Sequence, residues 1–151
     1  MRMARTEAPR VLISVSRPSP MRIPLAAIRE VVPFVGKAEG MRIAEVDIAI
    51  VRSAEMAGHN RRFLRHPGPT DVISFDLSGH GKSGLCAQLI VCSDLAVQQS
   101  AVHGLTPQAE LLLYIIHGLL HMMGYDDVAI RAGVAMHARQ DELLRAFLKG
   151  R

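Results

Sequence analysis

The 151-residue chain has no Trp, and aromatic residues make up only 4% of it. The few rings, chiefly Phe63, Phe75 and Tyr125, give little surface for stacking bases, so core packing is the first use expected of them. Cysteine is almost as scarce. Cys86 and Cys92 lie six positions apart in one expected strand, too far to bridge each other, and are expected as reduced core residues. A Cys-based zinc site would need closer pairs. The N-terminus, MRMARTEAPR, lacks the apolar core of a secretory signal. The longest nearly uncharged apolar run, Leu111 to Tyr125, is too short to span a bilayer and carries two histidines, so a buried core helix is expected there. A cytoplasmic protein with no membrane partner follows as the expectation. The Gly-rich stretch SGHGKSG (78–84) has Asp76 where a phosphate-binding loop carries its first glycine, so it lacks that loop's spacing and is expected to be a hairpin connection.

What the chain does have is a hydrophobic share of 49%, enough for a real core. A flexible basic tail over residues 1–10 and a single domain over 11–151 are expected. The formal net charge is +4, unevenly spread. Residues 1–70 carry 12 Lys and Arg against 6 Asp and Glu, whereas residues 71–151 carry 6 against 8. An Arg-rich front half beside a mildly acidic back half fits a polyanionic substrate held by one half and worked on by the other.

The hydrophobic periods predict a strand over Val11 to Ser16, then a helix from Pro24 that Pro33 bends or ends. A second strand is expected over Arg42 to Val51 and a helix over 53–64 with Ser53 as its N-cap. Two more strands follow, Thr70 to Phe75 and Cys86 to Cys92. Asp94 is expected to cap a helix running to His103 and ended by Gly104. Thr106 and Pro107 begin a central helix in the N-cap and first helical positions. The last helix, residues 128–148, is expected to bury Ile130, Val134, Met136, Leu143, Leu144 and Phe147. Four strands and about five helices in mixed order imply an α+β domain around a small mixed sheet.

The chemistry concentrates in TPQAELLLYIIHGLLHMMGYDD, Thr106 to Asp127. His117 and His121 stand four apart, which stacks both imidazoles on one helix face about 6 Å apart along the axis. Gly124 can end the helix in a left-handed turn that brings Asp126 or Asp127 back towards them. His, His at +4, Gly at +7 and a ligand at +10 is the framework of the metzincin zinc enzymes. Two imidazoles and a carboxylate are ordinary zinc ligands that leave a fourth position open. Gly118 stands where a metzincin peptidase carries its general base, so a peptidase of this plan lacks its central residue.

HGLLHMMGYDD resembles the H-G-x-L-H-L-x-G-Y-D-H signature of the bacterial YbeY family, metal-dependent endoribonucleases of ribosomal RNA maturation. Asn60 and the block PTDVISF, Pro69 to Phe75, are similar to that family's N…P-T-[DN]-V-L-S-F segment. Gln140 and the leucines after it resemble its C-terminal helix, and the similarity covers most of residues 43–148. The resemblance implies a zincin-like fold, one zinc ion on His117, His121 and Asp127, and a zinc-dependent endoribonuclease of single-stranded RNA. Maturation of 16S rRNA and ribosome quality control, with the ribosome or its small subunit as partner, come with it. Three departures stand out, one of them the family's L-G-D-I block, which reads Ala87-Gln88-Leu89 here. Asp127 replaces the family's third histidine, and Leu64 falls where the family has a phosphate-contacting arginine, with Arg65 next to it as the substitute. The alternatives are a ribosome-associated assembly factor with a structural metal, which Leu64 and Gln88 motivate, and a metallopeptidase-like hydrolase.

Overall fold

A computed structural model describes residues 7–64, 70–79 and 83–151 of the chain. Its strands are β1 (Arg10–Val15), β2 (Ile43–Val51), β3 (Val72–Asp76) and β4 (Leu85–Cys92). They form one sheet in the order β1-β2-β4-β3. β1, β2 and β4 run parallel, and β3 pairs antiparallel with β4 along the edge. The expected small mixed sheet of an α+β domain is what forms. β3 and β4 are joined as the hairpin the Gly-rich stretch predicts, although residues 80–82 lie outside the described ones.

The side-chain period of two in a strand sorts the sheet's residues between its faces. Ile48, Ile50, Leu89 and Val91 enter the main core with the long helices, while Val51, Ile73, Ile90 and Cys92 form a smaller cluster with Met56. Both cysteines are buried and free, as expected. The helices are α1 (Leu25–Ala38), α2 (Ser53–His59), α3 (Ser93–His103), α4 (Pro107–Met122) and α5 (Ile130–Lys149).

Three local expectations are corrected. Pro33 does not end α1, which runs through it to Ala38. A helix-interior proline costs about 3 kcal/mol, but Ile28, Val31, Val32 and Val35 are all wholly buried on one face, at about 1.5–3 kcal/mol each. Asp94 does not cap its own helix, whose N-cap position is Cys92. Its carboxylate instead takes the Ser53 amide at the start of α2 at 2.7 Å and the Arg52 Nε at 3.1 Å, so α2 is capped across space and not by Ser53 itself. In α5, Ile130 and Val134 are 87% and 65% exposed, whereas Met136, Leu143, Leu144 and Phe147 are buried. The first turns of α5 project beyond the layer that its later turns join.

α2 passes into a π-helical turn at Asn60–Leu64 where one continuous helix was expected. Of the expected basic tail, residues 1–6 lie outside the described ones, and β1 already begins at Arg10. Among the described residues no helix is long and apolar enough to cross a membrane.

Candidate metal centre and its cleft

α4 is the central helix of the domain. Thr106 caps it, its side chain accepting the Ala109 amide at 3.1 Å, and Pro107 occupies the first turn, where a missing N–H costs nothing. Leu111 to Ile116, Gly118, Leu119 and Leu120 are all buried, so α4 is covered nearly all round by α1, α3, α5 and the β3–β4 edge. Gly118 makes the last of these contacts possible. A Cβ built there would lie 2.9 Å from Leu89 Cδ2, 3.0 Å from Ser74 Oγ and 3.2 Å from Val72 Cγ2. The glycine lets the sheet edge press against the helix, and no side chain, least of all a glutamate, fits in its place. The metallopeptidase reading loses its base for a steric reason as well as a chemical one.

One residue earlier, His117 is fixed by α5. Its Nδ1 donates to the Gln140 side-chain oxygen at 2.6 Å, which leaves Nε2 with its lone pair free. Gln140 is itself buried and gives its amide group to His137 Nδ1 at 3.2 Å, so the two imidazoles face each other with ring centroids 5.9 Å apart. α4 ends at Met122, and Gly124 takes a left-handed conformation at φ 104°. The chain turns back there, bringing the Asp127 carboxylate to 4.0 Å from His117 Nε2. A lone pair and a carboxylate oxygen are the donor chemistry a zinc ion takes, and at 4.0 Å they stand wider than the roughly 3.4 Å that two ligands keep around a tetrahedral zinc. His121 lies exposed one turn beyond His117. Among the described residues, however, no group of three or more His, Cys, Asp or Glu side chains is gathered closely enough to hold a metal. His117 and Asp127 are brought together, and His121 does not complete the set at this separation.

The returning turn has its own anchor, which the sequence did not indicate. Tyr125 donates its hydroxyl to Glu39 Oε2 at 2.9 Å, and Arg139 donates its Nε to Glu39 Oε1 at 2.6 Å. One carboxylate at the end of α1 thus holds the turn that carries Asp127 and the α5 residue next to Gln140. Burial, and then Glu39, raise the Tyr125 phenol above its usual value, and Glu39 does the same for the Arg139 guanidinium.

His117, His137 and Gln140 stand at the wall of a cavity of about 510 Å³ between α4, α5 and the start of β3. Asp71, just before β3, lines it too. Glu110 is wholly buried on the same wall, its carboxylate held by His103 Nδ1 at 2.8 and 3.0 Å. Burial, and next the Glu110 carboxylate, push the Tyr114 phenol far above its normal range. A periodicity of one helical turn could have paired His137 with Gln140 in advance, but nothing local marks which core residue they meet. Arg65 falls outside the described residues.

A four-stranded mixed sheet whose antiparallel edge lies against a buried helix defines a small α+β domain with His117, His121 and the returning Asp127 at that helix's C-terminal end. The family described as Endoribonuclease YbeY matches residues 22–148, and the chain belongs to it. It is by that membership an endoribonuclease of a metalloenzyme family. The chain is 34% identical over 117 residues to the Endoribonuclease YbeY of Acidothermus cellulolyticus, covering 70% of this chain and 71% of that one. Its counterpart in Mycolicibacterium vanbaalenii is 31% identical over 147 residues, 90% of this chain and 80% of the other. The fold is shared with the solution structure of TM1509 from Thermotoga maritima, at a TM-score of 0.61 and 20% identity over 93% of this chain and 90% of that one.

Proposed function

We propose that the chain is a zinc-dependent endoribonuclease of single-stranded RNA, cytoplasmic, that acts in the maturation of 16S rRNA and in ribosome quality control. His117, His121 and Asp127 are the residues that would hold one zinc ion. The observation that carries this reading is the Asp127 carboxylate turned back onto the free nitrogen of His117 at 4.0 Å, with Gln140 fixing the ring from behind.

Zinc in such a site supplies Lewis acidity for a phosphodiester oxygen and lowers the pKa of water. The protein's part is to hold and orient. Gln140 keeps His117 in the tautomer whose Nε2 is an acceptor, and the Tyr125–Glu39 bond keeps the Asp127 turn in place. The exposed Arg61 and Arg62 offer cations to the RNA backbone, and Arg65 is proposed as a further phosphate contact. An anionic ligand in place of a third imidazole leaves the metal less positive, and zinc enzymes with two histidines and one carboxylate are active nonetheless.

Metal analysis of the purified chain, together with cleavage of a single-stranded RNA, tests the reading. About one zinc per chain, lost together with RNA cleavage in His117→Ala, His121→Ala and Asp127→Ala, is the expected result. Full metal content in all three variants would overturn the site. Metal lost with no RNA cleaved by the unsubstituted chain would favour the ribosome-associated assembly factor.

A further inference from the structure

The cavity beside His117 is larger than a metal centre needs, and its walls differ from those of a phosphate site. Leu105, Leu113 and Leu144 line it with the ring of Tyr114, and a volume of about 510 Å³ lies within the usual range for a small-molecule pocket. The charge on its walls is mainly negative. Asp71, Glu110 and Asp141 contribute three carboxylates against the single guanidinium of Arg145. A second phosphate would be repelled here, while a flat, neutral, largely apolar group with hydrogen-bond donors on its edge would be held.

Of the carboxylates, Asp71 is the one poised to read such an edge. Its backbone is pinned at the start of β3, where its carbonyl accepts the Cys92 amide at 3.0 Å. One carboxylate oxygen accepts the Val72 amide at 2.8 Å, which fixes the side chain, and among the described residues no hydrogen bond engages its second oxygen. Glu110, by contrast, has both oxygens engaged by His103.

We propose that this cavity is a nucleobase subsite, in which a base next to the cleaved phosphodiester lies between Tyr114 and the leucines and gives its exocyclic amino group to Asp71. The proposal rests on the RNA-cleavage reading and adds a base preference to it. Bases with an amino donor, as in cytosine and adenine, are accepted. Uracil is disfavoured, because it presents carbonyl oxygens on either side of its one N–H and these meet the carboxylate unfavourably.

Free nucleosides test this apart from catalysis, since they carry no phosphate. Methyl resonances of Leu105, Leu113 and Leu144 in the full chain are followed while cytidine, adenosine or uridine is added. Cytidine and adenosine are expected to shift all three, with uridine binding roughly tenfold more weakly, the scale of one hydrogen bond to a charged group. Asp71→Asn is expected to bring cytidine and uridine to within about twofold of each other, and Leu105→Trp to abolish the shifts by filling the cavity. Should Asp71→Asn not fold, the cytidine-to-uridine ratio in the unsubstituted chain still decides. Absence of shifts with any nucleoside, or uridine binding as well as cytidine, would overturn the subsite. RNA cleavage is measured on the same preparation. Cleavage without nucleoside binding removes the subsite alone, and base-selective binding without cleavage removes the nuclease reading alone.

Discussion

His117 and Gln140, 23 positions apart on α4 and α5, share a 2.6 Å hydrogen bond in which the imidazole Nδ1 is the donor. That bond chooses which ring nitrogen faces Asp127. A residue that orients a metal-binding imidazole in this way typically accounts for a ten- to hundredfold change in metal affinity. Gln140→Ala is therefore expected to weaken zinc binding by roughly that factor, read by competition with a chromophoric chelator. Unchanged affinity would show that α5 has no hold on the site.

Tyr125 acts on the other side of the same pair. Tyr125→Phe removes its 2.9 Å bond to Glu39, at a cost of about 1 kcal/mol in stability. It also loosens the turn two residues before Asp127. Denaturant titration should show the stability loss, and zinc affinity should fall by less than in Asp127→Ala.

Gly118→Ala sets two effects against each other. Alanine in a helix gains up to about 1 kcal/mol over glycine. Its Cβ would sit 2.9 Å from Leu89 Cδ2, and Leu89 is wholly buried and has little room to yield. Overpacking costs about 1–3 kcal/mol, so a net loss of about 1 kcal/mol is expected in the urea midpoint. Gly118→Glu should cost more than about 3 kcal/mol, because it adds a buried carboxylate to the clash. A stable Gly118→Glu protein would contradict the packing described.

Acid stability should carry the mark of Asp94. Hydrogen bonds from Arg52, and then from the Ser53 amide, hold its carboxyl below the usual carboxylate range. The folded chain thus favours the charged form, and the unfolded chain takes up the proton first. This contribution is complete above the unfolded value of about 3.9 and is lost as pH falls through the lower folded value. Urea midpoints recorded from pH 6 to pH 2 should fall more steeply for the unsubstituted chain than for Asp94→Asn. Parallel curves would remove Asp94 as a source of the pH dependence.

Arg61 and Arg62 carry the exposed charge of the π-helical turn, and the Arg62 guanidinium lies over the Phe63 ring at 5.3 Å. If both meet phosphates, replacing the pair by alanine should weaken single-stranded RNA binding at every sequence. The slope of log affinity against log salt should also become shallower by about 1.4, at roughly 0.7 per lost contact. An unchanged slope would assign these arginines to the surface alone.

Much of this molecule is set by local pattern. The four strands, the mixed sheet, the Thr106 cap and the turn at Gly124 follow from side-chain period and backbone freedom, and these act over a few residues at a time. The spacing from His117 to Asp127 likewise announces a returning carboxylate, because a helix followed by a left-handed glycine turns the chain back, and Asp127 does come to 4.0 Å from His117 Nε2 while His121 stays outside that pair. Pro33, Asp94 and the exposed Ile130 show where pattern fails. Each depended on what the rest of the chain offered, whether a buried helix face, a capless neighbouring helix or a layer that ends before α5 begins.

The sequence by itself determined the family, and with it the endoribonuclease class, and the helix that carries His117 and His121. Only the tertiary structure decided which nitrogen of His117 is free, why position 118 has no room for a base, and that Asp71, Tyr114 and Glu110 share one cleft with the histidine. Those facts depend on contacts between residues dozens of positions apart, where close packing and hydrogen bonding, not local backbone preference, select the arrangement.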